Sequence, residues 1–325
     1  MALGVLLIWL SVKDLSSNEK TEIINSFKNA NYFWVFLAIC CGVLSHILRS
    51  IRWRRLLSPM GYHPKIKNMF LAIMIGYFAN YAIPRLGEVS RCGVLNRTDK
   101  IPMNKGLGTV VTERAFDLLI FLIIFIVTVF IEKDRIGSYL DTNIYPKLND
   151  KFAFLSSSGF LYVIVGVGLV IFILYFVLRK RLRKNLFFQK LEEVGEGFLH
   201  GIRSLFKMKK PWLFLLETAG IWVLYLLMTY LCFFSMEGTS NLGLDAGLAT
   251  LVIGSLGIMV TPGGIGLFPI LVQETLKLYT VAKISGLAMG WIIWTSQTAM
   301  ILLLGAIALF VISFNKKITQ VNVNK

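Results

Sequence analysis

Acidic and basic side chains are scarce in the long apolar stretches of this chain, so the few that sit there are the first candidates for chemistry. One group lies in Thr109-Val110-Val111-Thr112-Glu113-Arg114-Ala115-Phe116-Asp117. On a helix, Glu113 and Asp117 share a face, and Arg114 stands three residues before Asp117. A charge at mid-membrane costs about 2.5–3.5 kcal/mol on insertion scales, so such groups face a partner or a wet cavity. Two acids against one base leave a local negative excess, which Arg85, Arg91 or Arg97 could offset. The group either serves a charged ligand or is a salt-bridge network that locks neighbouring segments.

A second group is Asn80-Tyr81-Ala82-Ile83-Pro84-Arg85-Leu86-Gly87-Glu88-Val89-Ser90-Arg91. Pro84 disfavours helix at Ile83, and Gly87 gives the turn freedom, so a short helix is expected to begin near Glu88. Its free N–H groups, with Arg85 and Arg91 beside them, suit an anionic head group. An ordinary basic loop with a proline turn would look the same. The third is Thr261-Pro262-Gly263-Gly264-Ile265-Gly266-Leu267-Phe268. It lacks a GK[ST] ending, so it is no nucleotide loop. Broken backbone at membrane depth is tolerated only inside protein or beside a cavity. Glu274 and Lys277 follow it, and Glu217 sits in another apolar run, each a cavity residue or a satisfied packing polar.

Other polar features are blander. Arg52, Trp53, Arg54 and Arg55 read as an inner-interface anchor. His46, His63 and His200 have no metal spacing, and Cys40, Cys41, Cys92 and Cys232 form no zinc motif. Neither a nucleophilic triad nor a nucleotide motif stands out. The expectation is therefore no enzyme, no catalytic residue, no metal and no cofactor.

These groups need elements to position them. The chain has 325 residues, 56% of them hydrophobic, and a mean hydropathy of +0.68. Apolar runs near 32–48, 107–131, 159–178, 212–235 and 284–313 approach or exceed the ~20 residues that cross a bilayer. Ala2 to Val12 is shorter, fits a signal peptide poorly, and reads as a first helix. The net charge of +16 lies in short loops beside the spans, which argues against nucleic acid. Putting 49–67, 84–105, 179–210 and the tail inside gives 24 bases against 5 acids there. The outside segments, 13–31, 132–155 and 236–246, then hold 7 bases and 9 acids. This places the chain in the cell's inner, cytoplasmic membrane.

Two segments resist simple crossing. Residues 68–83 have basic flanks on both sides, and 247–260 are only 14 long before the helix breaks. Each fits a re-entrant hairpin, one from inside and one from outside. The expected fold is all-α, with about six spanning helices and two re-entrant hairpins in one domain. Residues 1–131 and 156–313 would be inverted-topology half-repeats, an architecture used for alternating access.

The ordered segments "RSIRWRRLL", "NYAIPRLGEVSR", "TVVTERAFDLL" and "TPGGIGLF" resemble the transmembrane domain of lysylphosphatidylglycerol synthase, also called the multiple peptide resistance factor flippase domain. The matching residues are Asn80, Pro84, Gly87, Glu88, Arg91, Glu113, Arg114, Asp117, Pro262, Gly263, Gly264 and Gly266. The likeness covers nearly the whole chain. It departs at the short first helix and at "AIPRLGE", which lacks an extra glycine near Pro-Arg. The resemblance implies an integral membrane protein that moves a phospholipid, glycolipid or isoprenoid-linked lipid between leaflets. Full-length synthases also carry a soluble aminoacyl-transfer domain. This chain ends at Lys325 just after its last apolar run, so neither that domain nor lysine transfer is expected. The candidate substrate-binding set is Asn80, Arg85, Glu88, Arg91, Glu113, Arg114, Asp117, Gly263, Gly264, Gly266 and Glu274. The expected partners are a membrane phospholipid or lipid-linked glycan, no nucleic acid, and further copies of the chain as a homo-oligomer. A scaffold for a lipid-modifying complex and a lipid-modifying enzyme are the competing readings.

Overall fold

Helix signals in the sequence translate directly into the architecture. A computed structural model describes residues 13, 16–83, 85–143 and 210–321. The expected first helix (2–12), Pro84, the 159–178 span and the basic segment 179–209 lie outside the described residues. The described residues form helices and turns, with no strand among them.

Helix α1, Ser17–Asn29, starts at a capping box. The Ser16 hydroxyl accepts from the Glu19 N–H at 3.2 Å, and the Glu19 carboxylate accepts from the Ser16 N–H at 2.7 Å. Helix α2, Tyr32–Leu57, is capped by the Asn31 side chain and runs into a 3-10 turn at Ser58–Met60 that ends on Gly61. Helix α3, Ile66–Ala82, stops where Ile83 turns extended ahead of Pro84. Helix α4, Leu86–Asp99, and helix α5, Met103–Ile131, follow, then α6, Lys133–Asn143. After the gap come α7, Pro211–Phe233, α8, Leu244–Val260, and a 3-10 turn at Pro262–Gly264. Helix α9, Leu267–Lys277, and α10, Lys283–Val321, complete the set.

Four of these helices are long and apolar enough to cross a bilayer: Tyr32–Met60, Met103–Ile131, Pro211–Phe233 and Lys283–Phe314. Between them, α3–α4 and α8–α9 are shorter antiparallel-type hairpins, each broken at a Pro/Gly turn. The long-helix, hairpin, long-helix order therefore occurs twice among the described residues.

The chain divides into two compact units, one of residues 1–114 and 205–325 and one of 115–204. In the first, α2 packs along α7, α3 on α4, α9 on α10, and α3 on α10. Its core gathers Ala38, Met228, Phe233, Phe268, Val272 and Ile293. Phe33, Phe36, Leu216, Leu303 and Phe310 point outward, the kind of apolar face that a bilayer covers. In the second unit, the buried Glu132 carboxylate accepts from Arg135 at 2.7 Å, joining the end of α5 to α6.

Candidate functional site

The centre of the first unit is one carboxylate held by three guanidinium groups. Glu113, on α5, has no solvent exposure. Its Oε1 meets Arg49 Nη1 at 3.0 Å and Arg52 Nη2 at 3.1 Å, both from α2. Its Oε2 meets Arg91 Nη1, from α4, at 2.9 Å. Arg52 donates its other Nη to the Thr218 hydroxyl at 3.1 Å, and Arg49 donates to the Tyr225 hydroxyl at 3.3 Å, both on α7. Arg91 also lies 4.6 Å over the ring of fully buried Trp53, whose indole N–H donates to Thr109 at 2.9 Å. Four helices thus converge on a single charge.

Helix periodicity explains the convergence. Arg49, Arg52 and Trp53 stand at i, i+3 and i+4 on α2 and share one stripe, while Arg54 and Arg55 turn away from it. Arg55 instead clamps Glu217 of α7 through two donors, Nε at 2.9 Å and Nη2. Three guanidinium groups share this one carboxylate. Removing this much charge from water costs several kcal/mol per ion, offset only by close pairing. At Arg91 the pairing is incomplete. Arg91 Nε and Nη2 are buried and have no hydrogen-bond acceptor among the described residues. These two atoms form the side edge of the guanidinium plane, the fork that grips a phosphate or carboxylate.

The α3–α4 hairpin delivers Arg91. Helices α3 and α4 cross at Gly76 and Gly87, where a Cβ on Gly76 would fall 2.8 Å from the Gly87 carbonyl and 3.2 Å from Arg91 Cβ. Asn80 closes the tip by accepting the Gly87 N–H at 2.8 Å, and Asn68 ties the base by donating to the Asp99 carboxylate. Arg85 caps α4 in the left-handed region (φ 68°) and is exposed. Glu88 and Arg114 pair at 3.3 Å with side chains 36% and 52% exposed, so Arg114 does not share the burial of Glu113. Asp117 belongs to the second unit.

The second hairpin tip meets the first. Gly263, Gly264 and Gly266 all have positive φ, at 64°, 73° and 74°. The Gly263 carbonyl accepts from the Trp294 indole at 2.8 Å. A Cβ on Gly263 would press on the Tyr81 ring, and the Tyr81 hydroxyl is 3.1 Å from Thr298 Oγ1 of α10. Glu274 is engaged locally, accepting from Lys277 at 2.6 Å and Gln273 at 2.7 Å.

Of the residues singled out in sequence, the structure brings Arg91 and Glu113 into direct contact, pairs Glu88 with Arg114, and gives Asn80 and the glycines turn-closing roles. Arg49, Arg52 and Trp53 were not expected here. The interface-anchor reading of Arg52 and Trp53 is corrected: both are fully buried. Their i, i+3, i+4 spacing was the available signal. Among the described residues, no three of His, Cys, Asp and Glu gather as a metal set.

Residues 1–305 match the family described as lysylphosphatidylglycerol synthase TM region. A UPF0104 membrane protein of Methanocaldococcus jannaschii is 28% identical over 265 residues, covering 75% of this chain and 74% of that protein. A glycosyltransferase, AglD of Haloferax volcanii, is 33% identical over 102 residues, 31% of this chain and 16% of that protein. No solved structure matches the chain. With four span-length helices, these matches make the chain a multi-pass membrane protein.

Proposed function

This chain belongs to the lysylphosphatidylglycerol synthase TM region family, and from that premise we propose that it is a lipid flippase or scramblase of the cytoplasmic membrane rather than an enzyme. Its cargo is an anionic phospholipid, a glycolipid or an isoprenoid-linked lipid. The observation that carries this reading is the Arg49/Arg52/Arg91 cluster on Glu113, buried between span-length helices. A protein with no polar cargo has little reason to sink three arginines into an apolar bundle. The side edge of Arg91 offers two parallel donors, which fit phosphate oxygens.

In this mechanism Glu113 stands in for the cargo. A lipid phosphate entering beside α4 takes over Arg91, and Glu113 keeps Arg49 and Arg52. Arg91 exchanges one anion for another while Arg49 and Arg52 keep theirs, so no charge is left alone in the low-dielectric bundle. The α3–α4 and α8–α9 hairpins are read as re-entrant, with tips meeting at Tyr81 and Gly263. Their order supports an inverted repeat whose halves rock around the cluster. Partial similarity to a glycosyltransferase favours a second reading, service to a glycan-assembly complex, with a lipid-linked glycan as cargo.

The test is reconstitution of the purified chain into vesicles holding acyl-labelled anionic or zwitterionic lipid. Leaflet-selective quenching is expected to reach the inner-leaflet label faster than in protein-free vesicles, with anionic lipid moving first. Equal rates with and without protein defeat the transport reading.

A further inference from the structure

The open end of the α3–α4 hairpin, expected to face the cytoplasm, collects cations that no acid answers. Lys65 stands at the start of α3 and Lys67 in its first turn. Arg97 is in the last turn of α4, Lys100 follows it as C-cap, and Lys105 opens α5. All five side chains are exposed, and among the described residues none is engaged by a carboxylate. The segments that carry them are fixed to one another. Asn68 donates to both oxygens of the Asp99 carboxylate, at 3.2 and 3.0 Å, tying the start of α3 to the end of α4. Asn96 donates to the Ile101 carbonyl at 2.9 Å, which closes the α4–α5 turn, and Lys100 sits there in the left-handed region (φ 57°). Asp99 is the acid within these turns, and it also accepts from the Thr98 hydroxyl at 2.6 Å. Glu88 is roughly 13 Å from Arg97 along the axis of α4. Like charges held on one rigid end repel each other, so this rim gains most from a counter-surface that presents many anions.

We propose that Lys65, Lys67, Arg97, Lys100 and Lys105 form a docking surface for the anionic phospholipid head groups of the leaflet at that end. Two observations favour lipid over a soluble acidic partner. The span-length segments Tyr32–Met60 and Met103–Ile131 both end within this rim, which sets it at head-group level. Apolar side chains are exposed among the cations: Ile66 lies between Lys65 and Lys67, and Met60 lies in the turn before them. At a bilayer interface such side chains dip below the head groups, while lysine stems reach up to the phosphates. The surface is separate from the buried arginines. It also goes beyond transport, because docking here requires no lipid to leave its leaflet.

The experiment places the full chain in phosphatidylcholine vesicles with a trace of acyl-spin-labelled phosphatidylglycerol or phosphatidylcholine. Electron paramagnetic resonance then reads the fraction of each lipid immobilised at the protein boundary. Phosphatidylglycerol is expected there about two- to threefold more often, because cations near head groups attract anionic lipid while the spectrum averages over the whole perimeter. The preference is expected to fall to near unity at about 1 M salt, where the screening length is about 3 Å. Replacing all five residues by Gln is expected to abolish it. Replacing the four lysines by Arg is expected to preserve it, and so is Arg91→Lys, which leaves the rim intact. If the fivefold Gln variant does not fold, Lys65→Gln/Lys67→Gln and Arg97→Gln/Lys105→Gln must each lower the preference. Equal immobilisation of the two lipids by wild type overturns the proposal. So does a preference that survives the Gln variants, or one that Arg91→Lys removes, since the buried cluster would then be the binder. Equal immobilisation with salt-sensitive binding of polyglutamate would give the surface to an acidic soluble partner instead. A preference without movement between leaflets defeats only the transport reading, and movement without a preference defeats only the docking surface.

Discussion

Glu113 and Arg91 are paired in the structure, yet they answer to different demands. Glu113 neutralises guanidinium groups that are buried, so Glu113→Gln removes the one carboxylate that three buried cations share. Breaking a buried pair this way costs about 3–5 kcal/mol, and the variant is expected to accumulate poorly in membranes, as read by quantitative immunoblot. Near-normal accumulation would mean that Glu113 is not the keystone of the cluster. Arg114 provides the contrast. It is half exposed and paired with Glu88 at 3.3 Å, a setting worth about 0–1 kcal/mol, so Arg114→Gln should leave abundance unchanged. Sequence pattern identified Glu113 because a charge in an apolar run stands out, and Arg91 because it follows the Pro84–Gly87 turn beside an expected helix start. It did not separate Glu113 from Arg114 by burial, since adjacent residues on a helix differ by only 100° and the packing partner fixes which one is inside. Arg49 and Arg52 were hidden for a related reason. They sit in a basic block at a helix end, a composition that matches interfacial anchoring equally well.

The hairpins were largely legible as elements. Residues 247–260 were expected to form a short helix that breaks at Pro262, and the structure places α8 at Leu244–Val260. Residues 68–83 correspond to α3 at Ile66–Ala82. Their tip-to-tip contact was not legible, because nothing in the local pattern relates Tyr81 to Gly263, which are far apart in sequence. Two substitutions test the elements. Gly87→Ala puts a Cβ into the Gly76 carbonyl and the Asn80 side chain, so α3 and α4 must separate and Arg91 must leave Glu113. Transport per molecule is expected to fall at least about tenfold, at 1.4 kcal/mol per decade of rate. Unchanged transport would free Arg91 from any dependence on the hairpin crossing. Gly263→Ala meets both a positive φ of 64° and the Tyr81 ring. Adding Tyr81→Ala relieves only the clash, so the double variant should regain part, not all, of the melting temperature lost in the single one. Full recovery would mean that backbone strain at Gly263 is negligible.

At the scale of the whole molecule, the proposal joins an orientation expected from the charge distribution to a task assigned to the buried cluster. The 24-to-5 excess of bases over acids in the expected inner segments predicts a cytoplasmic Arg97 and an external Asn241. In a cysteine-free background, Asn241→Cys should label with an impermeant maleimide in intact cells, and Arg97→Cys should label only after permeabilisation. Labelling at 97 from outside would make α3 a full crossing rather than half of a hairpin. The central claim is that a lipid phosphate uses Arg91, and one measurement addresses it most directly: transbilayer movement of acyl-labelled anionic phospholipid per reconstituted molecule, for wild type and Arg91→Lys. Lysine keeps the charge for Glu113 but lacks the side edge formed by Nε and Nη2. The account predicts normal abundance and reconstitution, with movement at least about tenfold slower than wild type. Wild-type movement from Arg91→Lys, at equal protein in the vesicles, would contradict it.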